Sequence, residues 1–242
     1  MPDVAPIDVA RGLDPLEEPS PFVDLAVPGY QPSVLVVPVG ATTPRPVLVV
    51  GHGNYDRPEW ECHVWRYVTR DGMFVLCPRG IERDDIPRDE RPRFTYRDGI
   101  ALADEANAGL AALRARYPQH VAAGPVVYAG FSLGAIFGAG VCARLEPGVS
   151  HAALIEGGYD AWTTSRIRAF RERGGARVLF GSGQSTNHAA ARRATAHFAG
   201  TGVEADVVHA PGAGHSYGAG FAPLLREGFT RLVAGDPCFA AW

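Results

Sequence analysis

One stretch of ten residues, 126–135, constrains the fold more than any other part of the chain. In it, an apolar run rich in β-branched residues stops at Gly130, and an apolar pattern typical of a buried helix follows Ser132. The stretch therefore predicts a strand, a sharp turn and a helix, in which Gly130 and Gly134 leave room for the chain to reverse. Such a turn holds a serine hydroxyl above the sheet, as an enzyme nucleophile requires, although a turn that merely contains serine fits the same five residues.

The rest of the chain continues this alternation of strands and helices. Apolar runs without polar alternation predict parallel strands that are covered on both faces, and segments with apolar residues at helical spacing predict the helices between them. The predicted strands are 46–51, 73–77, 125–129, 151–156, 177–181 and 203–209, and the predicted helices are 58–70, 99–117, 133–145, 162–173, 188–199 and 221–234. We therefore expect an α/β fold with a mostly parallel, twisted sheet and helices on both faces.

The beginning of the chain departs from this pattern. Residues 1–21 carry five prolines and no periodicity, which predicts an irregular N-terminal arm. Two short apolar runs, 22–27 and 33–39, flank a Pro-Gly turn and predict an antiparallel hairpin at one edge of the sheet. Since the chain has 242 residues and is 46% apolar, residues 22–242 are expected to form a single domain.

Charge and composition exclude several classes of function. The net charge is −3 and no stripe of basic residues is interleaved with aromatic ones, so we do not expect nucleic acid as a partner. All 23 basic residues are arginine. Without lysine the chain can form neither a Schiff base nor a phosphate-loop lysine contact, and it cannot contain a Ser-x-x-Lys site.

The four cysteines lack the spacing of zinc ligands, and we expect neither a metal nor a cofactor. Cys62 and Cys77 are both predicted at the same edge of the sheet, where a disulfide or two buried thiols are equally compatible with the sequence. No apolar run approaches the roughly 20 residues that span a bilayer. As written, the sequence predicts a soluble, cytoplasmic protein, or an exported one if a leader was removed, and it leaves the oligomeric state open.

A serine hydroxyl needs a base within hydrogen-bond reach and donors for the oxyanion that it creates. The best-placed base is His215, in a Gly-rich loop between the last predicted strand and the last helix. His52 and Gly53 follow the first parallel strand, where the chain can turn so that the N–H of Asn54 faces the substrate carbonyl. The N–H of Leu133, at the start of the helix, is the second expected donor.

These three segments, 52–54, 130–134 and 214–215, occur in the order found in α/β-hydrolases, which the chain resembles over roughly residues 33–235. The resemblance implies attack by Ser132 on an ester-like carbonyl and proton transfer through His215. It also implies an acyl-enzyme and a small-molecule acyl substrate, a carboxylic ester or a thioester.

The acid of the expected triad departs from the family's pattern. The loop that usually supplies it, 181–187, contains no carboxylate, and neither does any position from 178 to 203. Glu156 is the first choice, because it ends a buried strand where an unpaired carboxylate is costly. Asp160 is the second, and a neutral residue, Asn187 or Gln184, is the third. Glu156 also fits a purely structural role in which it binds backbone N–H groups.

Access to the site is expected to be open. Only a short connection separates Glu156 from the next predicted helix, so we expect no helical lid there. The charged loop, residues 79–98, then covers part of the site, and Tyr55, Trp60 and Tyr159 are expected to line the cleft. Two other functions are compatible with these residues: a non-catalytic binding protein of this fold, and an acyltransferase or cyclase that uses the same nucleophile.

Overall fold

A computed structural model describes residues 12–87, 89–218 and 220–239 of the chain. The first eleven residues of the predicted arm lie outside the described residues. Residues 12–21 contain neither a helix nor a strand. Leu16 is buried, and its N–H donates to the carbonyl of Ala41 at 2.9 Å, so this segment packs against the turn at 38–42.

Ten strands and six helices make up the regular structure of the described residues. The strands are β1 (Phe22–Leu25), β2 (Ser33–Val36), β3 (Val47–Gly51), β4 (Phe74–Cys77), β5 (Ile81–Glu82), β6 (Phe94–Thr95), β7 (Val126–Phe131), β8 (Val149–Ile155), β9 (Arg177–Ser182) and β10 (Glu204–His209). The helices are α1 (Pro58–Val68), α2 (Gly99–Arg116), α3 (Leu133–Cys142), α4 (Thr164–Glu172), α5 (Ser185–Thr195) and α6 (Ala222–Val233).

Eight of the strands form one sheet in the order β1-β2-β4-β3-β7-β8-β9-β10. The first two pairs, β1 with β2 and β2 with β4, are antiparallel, and the remaining pairs are parallel. Every residue of β3, β4, β7 and β8 is buried, which explains their continuous apolar sequences. The predicted α/β fold and the antiparallel hairpin at the sheet edge are therefore confirmed.

Helices cover both faces of the sheet. Helices α2, α3, α4 and α5 contribute to one apolar core, and α1 and α6 contribute to the other. In the second core the rings of Trp65 and Phe229 meet edge to face at 5.7 Å, which joins α1 to α6. None of the described helices is both long and apolar enough to cross a bilayer.

The sequence missed two local features. The charged loop contains the hairpin of β5 and β6, whose two-residue strands are too short for any periodic signal. Helix α5 begins at Ser185, three residues earlier than predicted, because its first turn is polar and shows no apolar spacing.

Cys62 and Cys77 form a disulfide between α1 and the end of β4, with their Cα atoms 6.4 Å apart. Of the two possibilities that the sequence left open, a disulfide or two buried thiols, the structure contains the disulfide. It closes a loop with a sequence separation of 15 residues. A loop of this size stabilises the fold by about 3 kcal/mol in the chain-entropy description.

Candidate active site

The candidate site lies at the carboxyl edge of the parallel strands. Ser132 follows β7 directly, Glu156 follows the neighbouring β8, and His215 lies in the loop after β10. Because parallel strands end at the same edge of the sheet, the topology brings together three residues that are far apart in the sequence.

The turn at Ser132 is strained and tightly packed. Ser132 has φ 48° and ψ −107°, which is outside the regions that ordinary residues prefer. A Cβ on Gly130 would lie 2.6 Å from the carbonyl of Gly134, and a Cβ on Gly134 would lie 2.1 Å from the carbonyl of Gly51. Glycine is thus required at both flanking positions so that α3 can start against β3 and β7, as the sequence predicted.

Ser132, His215 and Glu156 form a continuous chain of contacts. The Nε2 atom of His215 lies 2.9 Å from Ser132 Oγ. On the other side of the ring, Nδ1 lies 3.6 Å from Glu156 Oε2. The histidine side chain is 44% exposed and that of Glu156 is completely buried.

The carboxylate of Glu156 is held by donors from the segment at the start of α5. Oε1 accepts from the backbone N–H groups of Gly183 and Gln184, the second at 3.2 Å, and Oε2 accepts from the side-chain amide of Asn187. Both sequence interpretations of Glu156 therefore describe part of its environment: one oxygen binds backbone N–H groups and the other faces His215. The start of α5 adds a favourable helix dipole to these hydrogen bonds.

The other candidates for the acid lie elsewhere or have a different contact. Asp160 is exposed and makes no hydrogen bond or ion pair with His215 in the part of the chain that the structure describes. Gln184 and Asn187 contact Glu156 instead of the histidine. The sequence had named both as alternatives to Glu156, whereas the structure places them as its hydrogen-bond donors.

The predicted oxyanion loop, residues 52–56, is fixed next to the start of α3. The carbonyl of His52 accepts from the N–H of Gly134 at 3.1 Å. The buried His52 ring lies between the carbonyls of Gly53 and Arg79, at 2.8 and 2.9 Å, and burial lowers its pKa. His52 therefore has a structural role in holding the loop.

Two backbone N–H groups are unpaired here, one at the start of α3 and one in the loop of residues 52–56. Among the described residues, the backbone N–H groups of Leu133 and Asn54 donate no hydrogen bond. These are the two groups that the sequence predicted as oxyanion donors. An unpaired N–H is costly unless water or a ligand binds it, so both remain available to a substrate oxygen.

Tyr55 connects the oxyanion loop to the charged loop. The guanidinium of Arg83 lies 3.6 Å from the centre of the Tyr55 ring and donates to Asn54 Oδ1 at 3.1 Å. Asp85 accepts from both Arg83 and Tyr55, and these hydrogen bonds lower the pKa of Asp85 to about 2. Tyr55 is 43% exposed and Trp60 is 40% exposed, so both remain accessible.

Tyr159 differs from the expectation that it lines the cleft. Its side chain is buried, its hydroxyl donates to the carbonyl of Gly181 at 3.2 Å, and its ring packs edge to face on Phe180. The residue belongs to a 3-10 turn, Tyr159–Ala161, that packs against α3 and α5, so Tyr159 supports these elements and does not line the cleft.

A contact that the sequence did not predict joins the histidine loop, residues 210–218, to the oxyanion loop. The Tyr217 hydroxyl donates to both carboxylate oxygens of the buried Asp56, at 3.0 and 3.1 Å. The ring of Phe131 packs against both Tyr217 and His215, with centroids 4.5 and 5.0 Å away. Tyr217 therefore holds in place the loop that carries His215.

Replacing Tyr217 by phenylalanine should lower kcat for an activated ester by about ten- to a hundredfold with little change in KM, because the histidine loop loses its anchor. Steady-state kinetics would measure the effect. Tyr67→Phe is the matched control, because Tyr67 is exposed on α1 away from both loops. Equal kcat values for the two variants would show that the Asp56 contact does not position His215.

Comparisons with known proteins reveal similarity in structure alone. No protein-family model and no curated protein matches the sequence. A dienelactone hydrolase from Anabaena variabilis ATCC 29413 has a TM-score of 0.61 and 19% identity, over 90% of this chain and 99% of that protein. For the esterase PE8 the TM-score is 0.57 and the identity 15%, over 87% and 100% of the two chains.

Two further structures complete the comparison. A carboxylesterase from Bacillus cereus has a TM-score of 0.53 and 18% identity, over 78% of this chain and 89% of the esterase. The chain spans only 61% of an uncharacterized protein from Bacillus cereus ATCC 10987, with a TM-score of 0.60 and 14% identity over 80% of its own length. The sheet order, the loops at its carboxyl edge and these similarities together show that the chain has the α/β-hydrolase fold.

Proposed function

We propose that the protein is a serine hydrolase that cleaves a carboxylic ester or thioester of a small molecule. The observation that carries this proposal is the 2.9 Å contact between Ser132 Oγ and His215 Nε2 at a strained turn. A hydroxyl at this distance from an imidazole can lose its proton as it attacks. The names of the similar structures, a dienelactone hydrolase, an esterase and a carboxylesterase, support the same class of reaction.

In the first half of the proposed reaction, Ser132 Oγ attacks the acyl carbon and its proton passes to His215 Nε2. The imidazolium that forms lies next to the buried carboxylate of Glu156, which stabilises its charge through Nδ1. The negative oxygen of the tetrahedral intermediate binds the N–H groups of Leu133 and Asn54. His215 then gives its proton to the leaving alcohol or thiol, and the acyl group remains on Ser132.

In the second half, water replaces the leaving group. His215 takes a proton from the water as the oxygen attacks the acyl-enzyme, and returns that proton to Ser132 Oγ when the acid leaves. The histidine side chain is 44% exposed, so water reaches it directly. This access favours hydrolysis over transfer of the acyl group to another acceptor.

A fluorophosphonate probe tests the proposal, because it reacts with an activated serine. We expect stoichiometric labelling of Ser132 in the wild type, identified by peptide mass spectrometry, and none in Ser132→Ala. Ser182→Ala is the control. Because Ser182 is completely buried, this variant should be labelled at Ser132 to the same extent as the wild type. A folded wild-type protein that stays unlabelled would favour the non-catalytic binding function instead.

A further inference from the structure

A cavity of about 550 Å³ lies outside the candidate active site. It opens between the turn that joins β1 to β2, the start of the charged loop and the first turns of α2. Its lining includes Tyr30, Gly80, Ile81, Tyr96, Asp104 and Glu105. None of the three residues of the candidate triad lines it.

Glu105 is the unusual group in this cavity. The residue is only 5% exposed, and its Oε1 atom accepts from the backbone N–H groups of Arg79 and Gly80 at 2.9 and 3.0 Å. The second oxygen, Oε2, accepts no hydrogen bond from the described residues. An ionised carboxylate can accept about four hydrogen bonds, so Oε2 can accept from a ligand in the cavity that Glu105 lines.

The positive charges nearby are committed to other groups. The Arg79 guanidinium binds Glu59 at 2.8 Å and Asp24 at 3.2 Å. Arg97, at the rim of the cavity, is paired with Asp98 at 3.3 Å. Burial raises the pKa of Glu105 and outweighs the opposite effects of the Gly80 and Arg79 N–H groups and of the Arg79 charge.

We propose that this cavity binds a small organic cation, an ammonium or guanidinium group on a short apolar body, with its charge on Oε2 of Glu105. A cation placed there completes the hydrogen bonding of the buried carboxylate. The exposed carboxylate of Asp104 adds a second negative charge at the rim.

The rest of the lining fits the apolar body of such a ligand. Tyr30 is 41% exposed and Ile81 is 54% exposed, and both present apolar surface to the cavity. Tyr30 and Tyr96 also line the cavity, and aromatic rings attract cations as well as other aromatic groups. A neutral ligand of the same shape gains the apolar contact but brings no positive charge to Oε2.

Titration of the full-length protein with 2-phenylethylammonium, followed by calorimetry, tests the proposal. We expect saturable binding of the ammonium and at least tenfold weaker binding of 2-phenylethanol, which has the same body without the charge. Glu105→Gln should weaken the ammonium at least tenfold, because glutamine keeps an acceptor for the two N–H groups but loses the charge. Glu90→Gln is the control, since Glu90 is exposed outside the cavity.

Backbone amide chemical shifts of the wild type locate the ligand even if Glu105→Gln does not fold. We expect the shifts of Gly80 and Ala101, which both line the cavity, to move on binding. Equal binding of the alcohol, full affinity in Glu105→Gln, or shift changes confined to other regions would each overturn the proposal. Failure of both 2-phenylethylammonium and 2-phenylethylguanidinium to bind would overturn it as well.

Discussion

Replacing Glu156 by glutamine is expected to lower kcat/KM for an activated ester by about two to four orders of magnitude. Glutamine is nearly the same size, and its side-chain oxygen can still accept from the N–H groups of Gly183 and Gln184. The variant loses the negative charge that faces Nδ1 of His215 at 3.6 Å. The imidazolium formed during attack is then no longer stabilised, and the ring no longer has a fixed tautomer.

Asp160→Asn is the matched control for this prediction, because it removes the other carboxylate that follows β8. Asp160 is exposed and does not contact the histidine, so its variant should stay within a few-fold of the wild type. Both proteins should be checked by circular dichroism before kinetics. If Asp160→Asn is the slow variant and Glu156→Gln is not, the assignment of the acid is wrong.

The largest expected effect on stability comes from Gly134→Ala. The new Cβ would lie 2.1 Å from the carbonyl oxygen of Gly51, which belongs to the backbone of β3 and cannot move aside as a side chain would. Helix α3 must therefore shift away from β3, which we expect to cost about 3 kcal/mol of unfolding free energy. The shift also breaks the hydrogen bond from Gly134 to His52, so the proposed activity on an activated ester should fall with stability.

Gly140→Ala, in the same helix, is the control for Gly134→Ala. A Cβ at Gly140 meets no atom within 4 Å, so alanine should leave stability unchanged or raise it by up to about 1 kcal/mol. Urea unfolding of the two variants and the wild type measures the difference. Equal unfolding free energies for the two variants would show that the close approach of α3 to β3 is not required.

Much of the fold and part of the site could be predicted from the sequence, because both depend on patterns within short segments. The apolar runs gave the parallel strands, and the topology of such strands placed Ser132, Glu156 and His215 at one edge. The search for the acid could also be narrowed, because no carboxylate occurs from 178 to 203. The sequence could not distinguish Glu156 from Asp160 as the neighbour of His215, because that depends on which side chain turns towards the histidine.

Contacts between distant segments account for what the sequence did not reveal. The hydrogen bonds from Tyr217 to Asp56 span 161 residues, and neither residue lies in a recognisable motif. The donors that hold Glu156 come from residues 183–187, where the sequence indicated neutral substitutes for the acid but not partners of Glu156. The cavity at Glu105 is likewise formed by three segments, none of which carries a local signal for binding.

The exposure of His215 has a consequence for the kind of substrate that suits the site. The connection from β8 to α4 contains only a short turn, and no helix of the described residues covers the histidine from this side. Charge that develops during the proposed attack by Ser132 is therefore partly screened by solvent, unless the substrate excludes water from the site. A broad acyl group would itself cover the reacting atoms and exclude water from them. The shape of the substrate would then provide the shielding that a lid provides in other enzymes.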